Sequence, residues 1–180
     1  MKESKRIDLR KMIYAAVCLA LCMVLPFLTG QIQQIGNALS PMHIPVLLCG
    51  FLCGWPYALV VGAIAPLLRF ALFGMPPIYP IGVAMCFELA AYGVLAGILY
   101  KKLPKKTLNV YVALIGAMLG GRIVWGLVRF GMALLFHVEF SPAMFLAGAF
   151  ITAIPGIICH IVLIPIIVLA MEKAKLTIKN

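Results

Sequence analysis

The stretch SPMHIPVLLCGFLCGWP, residues 40–56, decides how many times this chain crosses a membrane. Its apolar run is interrupted by Gly-Trp-Pro at residues 54–56, where glycine and proline break a helix and tryptophan suits a membrane interface. Residues 43–54 therefore predict one short helix, about 18 Å long, and residues 56–73 a separate one. Because the short helix cannot cross ~30 Å of hydrocarbon alone, we expect an irregular segment and a cavity to fill the remaining depth.

Basic residues support the same division. Twelve of the fifteen lysines and arginines lie in three clusters, at residues 2–11, 101–106 and 173–179. Positive residues collect in cytoplasmic loops, so neighbouring clusters must be separated by an even number of crossings. Counting residues 43–73 as two crossings satisfies this rule and places both termini in the cytoplasm. The predicted spans are 11–29, 43–54, 56–73, 80–100, 108–136 and 141–172.

Composition defines the class of protein. With 64% hydrophobic and 11% charged residues in 180, the chain is predicted to be an integral membrane protein with several spans. We expect an all-α fold, a compact bundle of six transmembrane helices forming a single domain, residues 1–180. The net charge of +10 follows from the basic clusters, which have no aromatic platform, so no nucleic-acid partner is expected. A metal site at Cys49, Cys53 and His43 lacks a fourth ligand, and neither a metal nor another cofactor is predicted.

Three arginines lie inside apolar segments, where a charge at the bilayer centre costs roughly 2.5 to 3.5 kcal/mol on insertion scales. Arg122, Trp125 and Arg129 share one helix face, because they recur at i, i+3 and i+7. Two cations and an indole on one face suit an anionic or aromatic small molecule. The alternative is that Arg122 extends toward the cytoplasmic end while only Arg129 projects into the protein. The third arginine is Arg69.

Other polar residues in the spans complete a candidate site. Glu88 is the one acid deep in a span, and Tyr92 follows a turn later on the same face. Glu88 pairs with an arginine, Arg69 being one candidate, or contacts a ligand directly. His43 begins the short second span, where a cavity is expected, and His160 lies in the middle of the last span, where a structural role competes with a ligand role.

The segment 31–41 is polar and uncharged, and we expect it to dip into the protein from outside and line the cavity. It contributes Gln33 and Asn37 as candidate contacts. Small residues four apart, as at Gly50/Gly54 and Gly93/Gly97, predict close approach of helices.

Catalysis has few candidates in this sequence. A phosphate-binding Gly-rich loop, H-E-x-x-H and G-x-S-x-G are all absent, so the chain is not expected to hydrolyse ATP by itself or to be an enzyme. A small membrane enzyme that uses His43, Glu88 and the arginines on a lipid-like substrate remains an alternative, as does a scaffold that binds no ligand.

Several motifs together resemble one known family. They are a basic N-terminus, Ala16-x-x-x-Ala20, the stretch 40–46, Gly50 to Gly54, and residues 87–93, FELAAYG. The chain resembles the substrate-binding S component of an energy-coupling factor (ECF) vitamin transporter. The resemblance implies a six-helix subunit of the prokaryotic plasma membrane that captures a vitamin on the outer side, beneath the loop between its first two spans.

The resemblance also implies partners and a mechanism. A membrane coupling protein would dock on Ala16 and Ala20, two cytoplasmic ATPases would supply energy, and the whole subunit would topple to release ligand inside. The stretches 40–45 and 74–77 look most similar to pantothenate-type members, while riboflavin, folate and biotin remain open. The predicted substrate-binding residues are Gln33, Asn37, His43, Arg69, Glu88, Tyr92, Trp125, Arg129 and His160.

Overall fold

A computed structural model describes residues 9–29, 36, 38–104, 106–137 and 139–174, and these form helices and short connections without any strand. Five apolar helical segments are long enough to cross a membrane, and a sixth apolar helix is shorter. The chain is therefore a multi-pass membrane protein, and these six apolar segments agree with the expected six-helix bundle. The helices are α1 Leu9–Val24, α2 His43–Cys53, α3 Trp55–Phe73, α4 Val83–Lys102, α5 Thr107–Phe136, α6 Pro142–Leu146 and α7 Ile154–Lys173.

Two of these elements form one long apolar run. A π-helical segment, Ala147–Ile151, joins α6 to α7, and the whole stretch Pro142–Lys173 has the length and hydropathy of a membrane span. A 3₁₀ turn, Leu25–Thr29, continues α1 in the same way.

The short helix α2 lies in the core of the bundle. All eleven of its residues are buried, and it ends at Gly54, whose φ of 90° favours glycine. Helix α3 begins at the next residue, with Pro56 in its first turn. The interruption therefore lies where the Gly-Trp-Pro sequence predicts it. At 1.5 Å per residue α2 is about 16 Å long, so it leaves depth within the bundle unfilled.

Helix α4 is central and packs against α2, α3 and α5. Its glycines allow close backbone contact: a Cβ on Gly97 would lie 2.5 Å from the Trp55 nitrogen, and one on Gly50 of α2 would lie 2.7 Å from the Gly93 oxygen. Both predicted small-residue pairs thus contribute to helix packing. Gly62 of α3 plays the same part, because its Cβ would lie 2.5 Å from the Leu89 oxygen.

One end of the bundle gathers the irregular segments. Helices α1, α3 and α5 end there, while α2, α4 and α6 begin there, and we refer to it as the loop end. The described part of the polar segment packs inward at this end. Ser40 is buried with a φ of 47°, its nitrogen donates to the Gly36 oxygen at 2.8 Å, and a Cβ on Gly156 of α7 would lie 2.6 Å from the Ala38 oxygen.

Candidate functional site

A cavity of about 370 Å³ lies at the loop end, beside the start of α2. Its volume falls in the range of small-molecule sites, about 300–1,000 Å³. The location follows from the short second helix, since His43 and the residues before it line the space that α2 leaves open. The residues that line the cavity include Ser40, Met42, His43, Arg69, Met75, Met85, Glu88, Arg122, Trp125, Arg129, Phe140, Met144 and Thr152.

All three intramembrane arginines reach this cavity, together with a single carboxylate. The wall therefore carries three guanidinium groups against one carboxylate, an excess of two positive charges. A cavity with that charge balance attracts an anion, because unpaired buried cations are stabilised by an opposite charge.

Arg69, on α3, is held at the end of α1. Its Nη1 donates to the main-chain oxygen of Met23 at 2.7 Å, and its guanidinium lies 5.3 Å from the ring centre of Phe27 and 5.2 Å from that of Phe73. Carbonyls in the last turn of a helix have no partner within the helix, and a cation there is favoured by the helix dipole. Arg69 thus joins the cavity wall to the end of α1.

Arg122, on α5, pairs with Glu88 on α4. Arg122 Nη1 donates to Glu88 Oε1 at 2.9 Å, and the two side chains are 12% and 2% exposed. The sequence left open whether Glu88 pairs with an arginine or contacts a ligand directly, and the structure contains the arginine pair. The suggested partner, Arg69, is wrong, because the Arg69 guanidinium binds the end of α1 instead. The alternative in which Arg122 extends to the cytoplasmic end is also wrong.

Arg129 lies two turns beyond Arg122 on the same helix. Its guanidinium lies 4.9 Å from the ring centre of Phe140, a cation–π distance. Its Nε and Nη1 are buried and have no hydrogen-bond partner among the described residues. Arg129 therefore has N–H donors that an acceptor atom of a ligand could engage.

The floor of the cavity is built around His43. Its Nε2 lies 3.4 Å from Glu88 Oε1 without the alignment of a hydrogen bond, and neither ring nitrogen has a hydrogen-bond partner among the described residues. Tyr92 packs edge-on against the ring at 5.0 Å and His160 lies nearly parallel at 6.0 Å. Tyr92 and His160 are not among the wall residues, so they position His43 rather than face the cavity.

An aromatic group forms the side wall near Arg129. Trp125 meets Phe140 edge-on at 5.5 Å and lies nearly parallel to Phe145 at 6.1 Å. A Cβ on Gly148 would lie 3.0 Å from the outer edge of the Trp125 ring, so glycine at this position makes room for the indole.

The structure brings five predicted substrate-binding residues to the cavity wall: His43, Arg69, Glu88, Trp125 and Arg129. Gln33 and Asn37 lie outside the described residues. Sequence reasoning did not place Arg122 in the predicted site, although its spacing from Arg129 was the available signal. Ser40 belongs to the segment 31–41 that was expected to line the cavity. Sequence reasoning missed the wall residues Met42, Met75, Met85, Phe140, Met144 and Thr152, which no periodic pattern marks.

The arrangement is suited to binding. Among the described residues, no three His, Cys, Asp or Glu side chains are placed to hold a metal ion. The polar groups of the wall are three guanidinium groups, one paired carboxylate, and hydroxyl and imidazole groups that can both donate and accept, while the remaining surface is apolar and rich in methionine, which adapts to ligand shape.

The predicted docking residues lie on a different surface. Ala16 and Ala20 are exposed on α1, while Ala15, Cys18 and Cys22 of the same helix are buried in the bundle. Two small residues on an outward face permit close approach by another helix.

Comparison with known proteins identifies the family. The model of the family described as "ECF transporter, substrate-specific component" matches residues 10–168, nearly the whole chain. No curated protein and no solved structure matches the chain. With a multi-pass helical fold and a small-molecule cavity at one end, this chain belongs to the family of substrate-specific components of ECF transporters, which are transporter subunits rather than enzymes and work with a coupling protein and ATPases.

Proposed function

We propose that this ECF subunit binds a small water-soluble vitamin at the outer face of the prokaryotic plasma membrane, with pantothenate as the best candidate. The observation that carries the proposal is the excess of guanidinium groups over carboxylates in a cavity of about 370 Å³. Buried cations of this kind are retained where they bind a substrate or a partner.

Pantothenate matches the chemistry of the wall. It carries one carboxylate for a guanidinium, and its amide and hydroxyl groups can hydrogen-bond to a residue such as His43. Its branched hydrocarbon part suits the methionine side chains of the wall, including Met42 and Met85.

A second candidate is a vitamin with a flat aromatic ring, such as riboflavin or folate. The wall residues Trp125 and Phe140 favour it, because offset or edge-on contacts between aromatic rings contribute about 0.5–1.5 kcal/mol beyond area burial.

The proposal includes an orientation and a docking surface. With both termini in the cytoplasm, the loop end faces outside and receives the vitamin, as the charge distribution predicts. Ala16 and Ala20 provide the surface on which the coupling protein docks, and two ATPases drive delivery to the inside.

Native mass spectrometry of the protein purified in mild detergent tests this function directly. We expect a co-purified small molecule with the mass of pantothenate, or a stoichiometric complex after incubation with a vitamin panel. Binding of another vitamin would retain the transporter function and reject pantothenate. Turnover of the bound molecule, or a protein that binds no member of the panel, would reject the proposal.

A further inference from the structure

Building on the proposed vitamin-binding function, we propose that this cavity selects an elongated ligand with one negative charge and a neutral polar group at its far end. Arg129 binds the negative charge, and the group formed by His43, Glu88 and Arg122 binds the neutral end. The proposal therefore assigns different tasks to the three arginines that line the same cavity.

Two of the arginines are already engaged within the protein. Arg69 donates to the Met23 oxygen and lies between two phenyl rings. Arg122 donates to Glu88 Oε1 at 2.9 Å, and the two opposite charges cancel. An anion that recruited either guanidinium would have to compete with an existing partner, and losing a buried ion pair is costly.

Arg129 differs from both in its surroundings. The Arg129 guanidinium lies 4.9 Å from the centre of the Phe140 ring. The ring attracts the cation but accepts no conventional hydrogen bond. Both Nε and Nη1 of Arg129 are buried without a partner among the described residues, whereas Arg122 has one such nitrogen, Nε, and engages Glu88 through Nη1. A carboxylate oxygen satisfies such donors with charge-assisted hydrogen bonds, which are about twice as strong as neutral ones.

The other end of the cavity rejects a second negative charge. Glu88 presents its own carboxylate there, 3.4 Å from His43 Nε2, and Arg122 already donates to that carboxylate. A second anion would therefore have to displace Glu88 from Arg122 to be neutralised. A neutral hydroxyl or amide can instead donate to or accept from the His43 ring, whose nitrogens have no hydrogen-bond partner in the described protein.

The spacing of the two ends sets the ligand length. Arg122 and Arg129 are seven residues apart on α5, which corresponds to about 10 Å along the helix axis. Pantothenate has its carboxylate at one end and a hydroxyl at the other, about 10 Å apart when extended, the reach of three extended residues. Folate has two carboxylates and riboflavin has none, so neither has the charge pattern of this cavity.

Isothermal titration calorimetry on the full chain in detergent tests the assignment. The probes are pantothenate and its alcohol analogue, in which CH₂OH replaces the carboxylate. The wild-type protein should bind the analogue about 10- to 100-fold more weakly, the loss expected for a hydrogen bond to a charged group. Arg129→Gln should bind both probes within about twofold of one another. Lys102→Gln removes a positive charge from an exposed residue of α4 outside the cavity wall, so it is the control and should keep the wild-type preference.

Each outcome bears on one proposal. Equal binding of the two probes by the wild type would overturn the charge assignment without requiring any variant to fold. An unchanged preference in Arg129→Gln, or its loss in Lys102→Gln, would also overturn it. Tighter binding of a dianionic or neutral vitamin would overturn this inference and leave vitamin binding intact, whereas a wild type that binds no vitamin would reject the proposed function itself.

Discussion

Replacing Gly97 by alanine should weaken the contact between α3 and α4. The added Cβ would lie 2.5 Å from the Trp55 nitrogen and 2.8 Å from its Cα, both backbone atoms that cannot rotate away. Reaching an ordinary contact of 3.4 Å requires the two backbones to separate by the difference, 0.9 Å. Overpacking of this kind costs about 1–3 kcal/mol.

Gly131→Ala is the matched control for this prediction. A Cβ on Gly131 of α5 meets no atom within 4 Å, so the same chemical change introduces no clash. Both variants gain about 1 kcal/mol of helix propensity, and that term cancels when they are compared. Gly97→Ala should therefore be about 1–3 kcal/mol less stable than Gly131→Ala, or about 2–12 °C lower in Tm for a chain of this size.

A thiol-reactive fluorescent dye measures this difference during thermal unfolding in detergent. Cys22, Cys49 and Cys53 are buried, with exposures of 0%, 0% and 1%, so they react when the bundle opens. A Gly97→Ala variant as stable as Gly131→Ala would refute the argument that glycine is needed at this contact.

Three further predictions concern the site and the docking surface. Glu88→Gln leaves Arg122 buried without its counter-charge and should lower stability by about 3–5 kcal/mol, while Glu88→Leu with Arg122→Met should recover most of that loss in the same thermal assay. His43→Phe keeps the ring contacts but removes both nitrogens, so calorimetry should show about tenfold weaker pantothenate binding; unchanged affinity would contradict a neutral polar end at His43. Ala16→Trp with Ala20→Trp should abolish vitamin uptake by cells and leave binding by the purified protein intact, and normal uptake would exclude this docking surface.

The short helix α2 shows what sequence reasoning could reach. The end of α2 is indicated by a local signal, because glycine and proline follow a run of apolar residues. The positions of the basic clusters indicate that α2 and α3 are separate crossings. Both kinds of signal lie along the chain itself, so no knowledge of packing was needed to expect a break at Gly54 or a cavity beside His43.

The partner of Glu88 shows where that reasoning ends. Periodicity identifies which face of α4 carries Glu88 and which face of α5 carries Arg122, but it does not give the rotation and height of one helix against another. Those depend on contacts such as Gly121 against the Tyr92 ring, where a Cβ would lie 2.7 Å from the nearest ring carbon. The wall methionines were missed for the same reason, since an apolar residue facing a cavity and one facing lipid look alike in sequence.

The three arginines also show why charge within a membrane is not sufficient to identify a ligand contact. All three carry the same insertion cost. Arg69 offsets it at a helix end and Arg122 offsets it with a carboxylate, so both have a structural reason to be present. Arg129 has an aromatic neighbour but buried donors that no described protein acceptor engages. Among the three arginines, the most informative for ligand chemistry is therefore Arg129, whose buried donors the described residues satisfy least.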